Sequence, residues 1–344
     1  MDAATERLDL AGYNPDPPFR IVRTAHVELR VRDLDRARRF YVDLLGFVET
    51  ETHGGALYLR GLEERVHHSL VLRQDGEPGV GHIAFRVESE ADLDRAEAFF
   101  ARVGCPRRWV PPDAERGQGR ALRVQDPLGF PVELVCEMEP AERLLQRFDL
   151  YRGAFPMRID HVNLFVPDVQ AAHDWYTRQL GFRCAEYTET ETDPPRVWAS
   201  WVHRKQNVHD VALMNGAGPR LHHVGFWVLD TLSVLRACDV LAGAGWHAAI
   251  ERGPGRHGIS NAFFLYLRDP DGHRIELYTG DYLTADPDLR PIRWSIHDPR
   301  RQTFWGHAAP ATWFEEASFV ASIEDGHLLA ARDPVLHDRP QTAT

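Results

Sequence analysis

The sequence predicts an α+β fold of two similar domains, each of which is a pair of strand–helix–strand–strand–strand (βαβββ) modules. Three observations predict this fold. The chain contains an internal repeat, each copy of the repeat changes from strand-like to helix-like periodicity, and 344 residues suit two domains of ordinary size. An apolar fraction of 43% is enough for a packed core and excludes a disordered chain.

The longest repeat pairs HVELRVRDLDRARRFYVDLLGFVE (26–49) with HVNLFVPDVQAAHDWYTRQLGFRC (161–184), at an offset of 135 (161 − 26). Both copies begin with a histidine and a strand-like alternation. Asp33 and Asp168 then stand where a helix N-cap is expected, and Gly46 and Gly181 stand where the helix should end. In the first copy, apolar residues at helical spacing predict one buried face: Leu34, Ala37, Phe40, Tyr41, Leu44 and Leu45.

Two shorter pairs extend the repeat. GHIAFRV (81–87) matches HHVGFWV (222–228) at an offset of 141 (222 − 81), and DPLGFPVEL (126–134) matches DPDGHRIEL (269–277) at 143 (269 − 126). The offset grows as short loop insertions would make it grow. After Gly225, the stretch LDTLSVLRACDVLAGAGW predicts a second helix that ends near Gly243 or Gly245.

These repeats predict an N-terminal arm (1–19), an N-terminal domain (20–145), a C-terminal domain (155–282) and a tail (283–344). The tail has no sustained period, yet it contains three tryptophans: Trp294, Trp305 and Trp313. Large aromatic residues in an irregular segment indicate packing against a domain. We expect the tail to cover the active site and the last dozen residues to fray.

Composition excludes several classes of partner. A net charge of −11 argues against nucleic acid or an anionic membrane. The first residues contain no apolar region of a signal peptide, and no run approaches the roughly 20 apolar residues of a membrane span. The four cysteines are scattered without a CxxC pair, so we expect neither a disulfide framework nor a zinc ribbon, and a cytoplasmic location.

Three residues of the second domain could bind a metal. His161 and His223 begin the two modules, and Glu276 lies in the last strand. Because strand residues alternate between faces, Glu276 should point away from its apolar neighbours Ile275 and Leu277. Two imidazoles and one carboxylate leave three octahedral positions open, an arrangement that suits Fe(II) and O₂ chemistry and that Mn(II) also accepts. Spacing alone leaves a purely structural role for these residues equally open.

The stretch GPGRHGISNAFFLYLRDPDGHRIELY (253–278) resembles the signature of extradiol ring-cleaving dioxygenases. The signature consists of a histidine, an apolar run, a tyrosine, Asp-Pro, a glycine and a closing glutamate. It is filled in order by His257, Tyr266, Asp269-Pro270, Gly272 and Glu276. From about residue 20 to 318 the chain is similar to the two-domain enzymes of the vicinal oxygen chelate superfamily, and ERGPGRHGISNAF (251–263) is most similar to homoprotocatechuate (3,4-dihydroxyphenylacetate) 2,3-dioxygenases.

The resemblance implies that a homotetramer cleaves a catechol with O₂, with 3,4-dihydroxyphenylacetate as the expected substrate and Fe(II), or alternatively Mn(II), as the cofactor. It puts the metal on His161, His223 and Glu276. His209 is implied as the acid–base residue, and Tyr266 as a residue that hydrogen-bonds to a catechol oxygen. The implied substrate-binding residues are Asn163, Trp201, Arg252, His257, Ser260 and Arg301.

One departure from the family leaves the substrate open. Arg300 and Arg301 are followed by Gln302, where the homoprotocatechuate enzymes carry a second arginine of a pair, so related catechols stay possible. Two other functions also remain. One is a non-catalytic protein of the same fold that sequesters a metal or an aromatic ligand. The other is a glutathione-dependent lyase or isomerase, which would need a fourth protein ligand and zinc or nickel.

The first domain repeats the three candidate ligands as His26, His82 and Glu133, so a second metal site is possible. We expect it to do no catalysis. Counting back from Glu133, Arg123 takes the position of Tyr266, and Ala114 takes the position of His257. The stretch LEERVHHSLV (62–71) offers His67 and His68, but no tryptophan lies eight residues earlier. A cationic Arg123 should also repel a divalent ion.

Overall fold

The computed structural model describes residues 8–340, which form two mixed β-sheets, one from each half of the chain. The first sheet contains β1 (Ile21–Val31), β2 (Val48–His53), β3 (Ala56–Arg60), β4 (Leu70–Gln74), β5 (Gly79–Val87), β6 (Arg107–Val110), β7 (Ala121–Gln125) and β8 (Pro131–Val135). The second contains β9 (Arg158–Val166), β10 (Arg183–Glu189), β11 (Val197–His203), β12 (Val211–Asn215), β13 (Arg220–Trp227), β14 (Ile250–Arg256), β15 (Phe263–Arg268), β16 (Arg274–Thr279), β17 (Ile292–Ser295) and β18 (Ser318–Phe319).

The helices are short. They are α1 (Leu34–Arg38, continued by π-helical turns over Arg39–Leu44), α2 (Glu90–Val103), α3 (Val169–Asp174, continued by π-helical turns over Trp175–Gln179), α4 (Thr231–Gly243), α5 (Pro299–Gln302) and α6 (Thr312–Glu315). Single 3₁₀ turns occur at Phe148–Leu150, His247–Ala249 and Ile259–Asn261. In the described part of the chain, none of the helices is long and apolar enough to cross a membrane.

The two sheets have the same topology. The first has the strand order β2-β3-β4-β1-β5-β8-β7-β6, and the second repeats it as β10-β11-β12-β9-β13-β16-β15-β14, with β17 added beside β10 and β18 beside β13. In both, the first strands of the two modules, β1 with β5 and β9 with β13, pair antiparallel at the centre. This topology confirms the predicted fold, a pair of βαβββ modules in each half.

The helix boundaries follow the predicted caps. Asp33 accepts a hydrogen bond from the Arg36 amide, and Asp168 accepts one from the Ala171 amide. Gly46 has a φ of +87°, and a Cβ there would lie 1.9 Å from the Arg152 carbonyl oxygen, so this position requires glycine for two reasons. Along the predicted apolar face, every residue is buried except Leu34, which is partly buried. The π-helical turns that continue both helices had no counterpart in the sequence prediction.

The two halves share one apolar core, and polar bonds connect them as well. The rings of Phe47 and Phe226 meet edge to face at 4.7 Å. The Tyr41 hydroxyl donates to Asp269 Oδ2 at 2.9 Å, and His273 Nε2 donates to the Arg30 carbonyl at 2.9 Å. Since Asp269 and His273 flank the turn between β15 and β16, the N-terminal half holds this turn in place.

The tail adds strands and aromatic residues to the second half. β17 pairs with β10 in parallel, and β18 pairs with β13. Trp313 is buried, Trp294 is partly buried, and Trp305 is exposed. The first seven residues of the predicted arm and the last four of the segment expected to fray lie outside the described residues.

Candidate metal centre and substrate cavity

Three adjacent strands bring His161, His223 and Glu276 together. In the strand register, His161 of β9 lies opposite Gly225 of β13, and Gly225 lies opposite Glu276 of β16. His223, two residues before Gly225, projects from the same face of β13. A Cβ at residue 225 would lie 2.3 Å from His161 Cε1, so only glycine lets the imidazole lie across the strand. Gly225 is therefore part of the site, although the sequence prediction did not include it.

The three ligand atoms are spaced as a metal would require. His161 Nε2 lies 3.3 Å from His223 Nε2 and 2.9 Å from Glu276 Oε2, and His223 Nε2 lies 3.2 Å from Glu276 Oε2. Ligands about 2.1 Å from an ion, at right angles to one another, would be about 3 Å apart. All three side chains are almost completely buried. The donor set and its spacing therefore fit a divalent ion on one face of an octahedron.

Neighbouring groups orient both imidazoles. His161 Nδ1 donates to Asp160 Oδ2 at 3.0 Å, which leaves Nε2 free to bind a metal. His223 Nδ1 lies 2.7 Å from His222 Nδ1, and His222 Nε2 lies 2.9 Å from the Trp313 carbonyl. Because a carbonyl only accepts, His222 donates from Nε2 and accepts at Nδ1, so His223 must donate from Nδ1. This fixes the tautomer of His223 that presents a lone pair at Nε2.

A cavity opens beside the three ligands. All but one of the predicted site residues line it: His161, Asn163, Trp201, His209, His223, His257, Ser260, Tyr266, Glu276 and Arg301. Arg252 is the exception. The lining also includes residues that the sequence prediction did not assign to the site, among them Met214, Tyr278, Gln302 and Trp313. Met214 and Trp313 belong to no motif named above, and only the fold brings them to the cavity.

His209 and Asn163 line the cavity, and each has a buried polar atom without a partner in residues 8–340. The ring of His209 lies 4.0 Å from that of His161, and neither His209 Nδ1 nor Asn163 Oδ1 has a hydrogen-bond partner within the described residues. Burial, with a smaller contribution from His161, lowers the pKa of His209 well below its usual value. His209 is therefore a neutral imidazole at neutral pH and can accept a proton.

Tyr266 and His257 form a chain of defined polarity. His257 Nδ1 contacts the Gln302 carbonyl, and His257 Nε2 lies 2.9 Å from the Tyr266 hydroxyl. Burial and the neighbouring Arg252 lower the pKa of His257 to about 3, so its imidazole is neutral. It must donate to the carbonyl through Nδ1, and Tyr266 must donate to Nε2. The Tyr266 hydroxyl thus has a fixed orientation beside the metal ligands.

Two buried arginines lie in and behind the wall of the cavity. Arg301 lines it, and its Nη1 donates to Thr188 Oγ1 at 3.4 Å. Arg252 lies behind the wall on β14, paired with Tyr266 in the register, and donates to Thr303 Oγ1 at 2.8 Å. Burial lowers the pKa of each guanidinium to about 10, so both stay charged at neutral pH. Several of their N–H groups have no partner among the described residues.

Ser260 occupies a strained turn over the cavity. Its φ is +56°, a left-handed conformation that costs energy in a residue other than glycine. The Ser260 amide donates to Glu186 Oε1 at 2.7 Å. Glu186 also accepts from Tyr282, just before the tail, and from Trp294 in the tail. Glu186, which the sequence prediction did not include, therefore joins the β14–β15 connection to the tail.

Comparison with known proteins places this arrangement in a family. The model of the Glyoxalase/Bleomycin resistance protein/Dioxygenase superfamily matches residues 23–134 and 158–277. The chain belongs to this superfamily. A manganese-dependent 2,3-dihydroxybiphenyl 1,2-dioxygenase from Geobacillus genomosp. 3 is 34% identical over 83% of this chain and 93% of its own length. A metapyrocatechase from Geobacillus stearothermophilus is 31% identical over 90% of this chain and 97% of its own length.

Solved structures agree with the sequence relatives. A variant of homoprotocatechuate 2,3-dioxygenase from B. fuscum, in complex with HPCA, has a TM-score of 0.91 and 41% identity, over 96% of this chain and 90% of that one. The homoprotocatechuate 2,3-dioxygenase from Arthrobacter globiformis has a TM-score of 0.89 and 44% identity, over 94% and 99%. The predictions of an extradiol dioxygenase of the vicinal oxygen chelate fold, and of Fe(II) or Mn(II) as its metal, are thereby confirmed.

Proposed function

We propose that the protein cleaves a catechol beside its two hydroxyls, with both atoms of O₂ entering the product, and that the substrate carries a short acidic side chain as 3,4-dihydroxyphenylacetate does. The observation that supports this most directly is the buried triad of His161, His223 and Glu276 in the lining of a cavity that Arg301 also lines. A bound Fe(II) or Mn(II) ion supplies Lewis acidity toward the catechol oxygens and electron transfer to O₂.

The side chains around the triad would position the substrate and move protons. His209 would accept a proton from a catechol hydroxyl and later return it, because it is neutral, unpartnered at Nδ1 and adjacent to the triad. Tyr266, whose proton is donated to His257, would accept a hydrogen bond from a catechol hydroxyl, and Asn163 would accept from the substrate. Trp201, a buried aromatic residue of the lining, would pack on the catechol ring.

The buried arginines favour an anionic substituent. Arg301 would contact the carboxylate directly, while Arg252 would stabilise it from behind the wall, with His257 and Ser260 beside it. A hydrogen bond between buried charged groups contributes about 1.5–3 kcal/mol. Gln302, also in the lining, can donate through its amide but adds no charge.

A panel of catechols tests the activity and the substrate class together. Protein loaded anaerobically with Fe(II) is exposed to air with catechol, 4-methylcatechol and 3,4-dihydroxyphenylacetate. We expect a yellow ring-opened product, with the highest kcat/KM for the acid. Absence of ring opening with every catechol on fully loaded protein would refute the activity, and equal efficiency for catechol and the acid would refute the preference.

Two neighbouring arginines test the carboxylate contact, with Arg301 as the proposed contact and Arg300 as its matched control. Arg301→Met should lower kcat/KM for the acid about 10- to 100-fold relative to 4-methylcatechol, since it removes one charged contact. Arg300→Met should change neither value, because Arg300 is exposed and pairs with Asp298. An equal loss for both substrates in the Arg301 variant would assign Arg301 a structural role.

We also propose that the enzyme works in the cytoplasm as a homotetramer. Four free cysteines suit a reducing compartment. Leu232 and Leu235 on α4 and Leu283 in the tail are exposed apolar side chains that neighbouring copies could cover. Sedimentation equilibrium of the purified protein tests the tetramer, and a monomer at micromolar concentration would contradict it.

A further inference from the structure

A second cluster of buried histidines and carboxylates lies in the first sheet. His26, His82 and Glu133 are each 0% exposed. His26 Nε2 lies 2.9 Å from His82 Nε2 and 3.4 Å from Glu133 Oε1, and His82 Nε2 lies 3.7 Å from Glu133 Oε1. The register connects them through one central residue, because Ala84 lies opposite both His26 and Glu133. The same types of ligand therefore face one point, as they do in the C-terminal half.

The surroundings of this cluster repeat those of the C-terminal site. Val71 lies opposite Glu28 as Ala212 lies opposite Asn163, which makes the two strands equivalent residue by residue. His68, three residues before Val71, is then the counterpart of His209, and its Nε2 has no partner among the described residues.

The aromatic wall of the C-terminal cavity also has a counterpart. Tyr58 pairs with Val71 as Trp201 pairs with Ala212. The aromatic residue that a count of eight residues failed to find is thus Tyr58, ten residues before His68. Its ring lies 5.2 Å from that of His68. The first half therefore retains the ligands, the neighbouring histidine and an aromatic residue.

Arg123 is the main difference between the two clusters. It lies opposite Glu133, as Tyr266 lies opposite Glu276. Its Nε donates to Glu133 Oε2 at 2.6 Å, and its Nη2 donates to Glu115 Oε1 at 2.6 Å. Gln118 Nε2 donates to the other oxygen, Glu133 Oε1, at 2.8 Å. Both oxygens of the carboxylate that would bind a metal are therefore already hydrogen-bonded.

The charge of the cluster also disfavours the binding of a metal ion. The cluster contains three carboxylates, Glu28, Glu115 and Glu133, and two guanidiniums, Arg73 and Arg123, for a formal charge of −1 (−3 + 2). A divalent ion would change this to +1 in a buried site. Without Arg123 the cluster would carry −2, and a divalent ion would neutralise it. Buried net charge is costly, so the guanidinium disfavours the ion.

We propose that His26, His82 and Glu133 are a second site for a divalent transition metal, kept closed by Arg123, and that removal of this guanidinium opens it. The site would take Mn(II), Fe(II) or Zn(II), which accept two imidazoles and a carboxylate. The proposal rests on the proposed function only in taking the C-terminal triad as the model of an open site.

A background without the C-terminal site isolates the effect. The full chain with His223→Ala is loaded with Mn(II), passed through a desalting column and analysed for metal, with circular dichroism as the test of folding. We expect essentially no metal in this variant, about one per chain when Arg123→Met is added, and none when Arg123→Lys, which keeps a cation, is added instead. Adding His82→Ala to the methionine variant should remove the metal again.

The outcomes separate this proposal from the proposed function. A folded Arg123→Met variant without metal overturns the closed site. If the His223→Ala protein binds metal and still binds it after His82→Ala is added, the C-terminal triad was misassigned. If that metal disappears when His82→Ala is added, the N-terminal site binds metal without removal of Arg123, and this also overturns the proposal.

Thermal unfolding provides a second measurement, because Arg123→Met leaves the buried Glu133 without its guanidinium partner. Mn(II) at a hundredfold excess over its Kd should raise the Tm of that variant by roughly 5 °C and leave the lysine variant unchanged. A parallel variant with Arg123→Gln, which removes the cation but keeps an amide donor for Glu133, is expected to fold more readily. Absence of both metal and thermal shift in the two variants would refute the closed site.

Discussion

Individual histidines of the C-terminal half differ chemically because their neighbours differ. His161 donates to a carboxylate and His223 to another imidazole, so both present a lone pair to the same point. His209, in contact with His161, has a free Nδ1. We therefore propose two roles for one side-chain type within a few ångströms, metal binding by His161 and His223 and proton transfer by His209.

Replacing either of two ligands should remove metal and activity together. His223→Ala and Glu276→Ala each leave a two-ligand remnant of the buried triad, so we expect loss of stoichiometric Fe(II) and of ring cleavage, measured by metal analysis and product absorbance. His247→Ala, in an exposed turn, is the control and should behave as the wild type. Full metal content and normal turnover in either ligand variant would show that the triad is misassigned.

His209→Asn should separate metal binding from catalysis. Asparagine preserves polarity but does not titrate, so the metal content should stay at one per chain in the C-terminal site. The rate of ring cleavage should fall about 10²–10⁴-fold, as for a lost acid–base group. Loss of metal would make His209 a ligand, and an unchanged rate with several catechols would leave it a structural residue.

Site residues that belong to a sequence motif could be predicted from the sequence. Residues that position those motif residues could not. His161, His223 and Glu276 could be found because their types are unusual inside apolar strands at repeated positions. Gly225, His222 and Glu186 act through close approach or through a neighbour, so neither repeats nor spacing distinguish them from ordinary strand residues. Tyr58 was missed for a geometric reason, since the connection that precedes His68 is two residues longer than its counterpart before His209.

At the scale of elements, the short helix α6 depends on one buried carboxylate. Glu251 of β14 accepts from Arg274 Nε at 2.6 Å, from Arg268 Nη2 at 2.7 Å and from Thr312 Oγ1 at 3.0 Å. Trp313, next to Thr312, covers the cavity and orients His222 through its carbonyl. The acid on β14 therefore stabilises the wall of the cavity through α6.

Glu251→Gln should destabilise the protein in a pH-dependent way. Burial raises the pKa of Glu251, but the hydrogen bonds from Arg274 and Arg268 outweigh it and lower the pKa from 4.5 to about 2. The unfolded chain thus takes up the proton at a higher pH than the native protein. The contribution to stability is complete above about pH 4.5 and disappears as the pH falls toward 2.

Urea denaturation of both proteins between pH 7 and pH 3.5 measures this effect. We expect the substitution to lower the free energy of unfolding by about 1–3 kcal/mol at pH 7, and by less at each step below pH 4.5. Glu316→Gln, an exposed partner of Arg268, is the control and should cost less than about 1 kcal/mol. A difference that is constant across this pH range would show that Glu251 does not act through its charge.

At the scale of the whole molecule, the two halves have one topology and different chemistry. The repeat was enough to predict this topology, because strand and helix periodicity recurs at nearly constant offsets. The contacts between the halves could not be predicted in the same way. Tyr41, for example, reads as an ordinary apolar position of a helix, yet its hydroxyl reaches Asp269 in the other half.

Unmodified protein should hold about one metal ion per chain after loading without excess ion, because the Arg123 guanidinium is hydrogen-bonded to Glu133 in the first half. His82→Ala should therefore leave turnover essentially intact. Metal analysis and steady-state kinetics on the same preparation check both statements. Two tightly held metals per chain would contradict the first. A folded His82→Ala enzyme that keeps its C-terminal metal but has lost activity would contradict the second.

The N-terminal half anchors the turn between β15 and β16, and this contact has a consequence for hybrid enzymes. Tyr266 and Glu276 lie on the two strands that this turn joins, while its anchors, Tyr41 and the Arg30 carbonyl, come from the other half. Recombining halves of two relatives would thus transfer these two proposed site residues without the contacts that anchor their turn, unless the surfaces of the two halves are compatible. Useful crossovers in a shuffled library should therefore be those that inherit residues 30–41 and 269–273 from one parent.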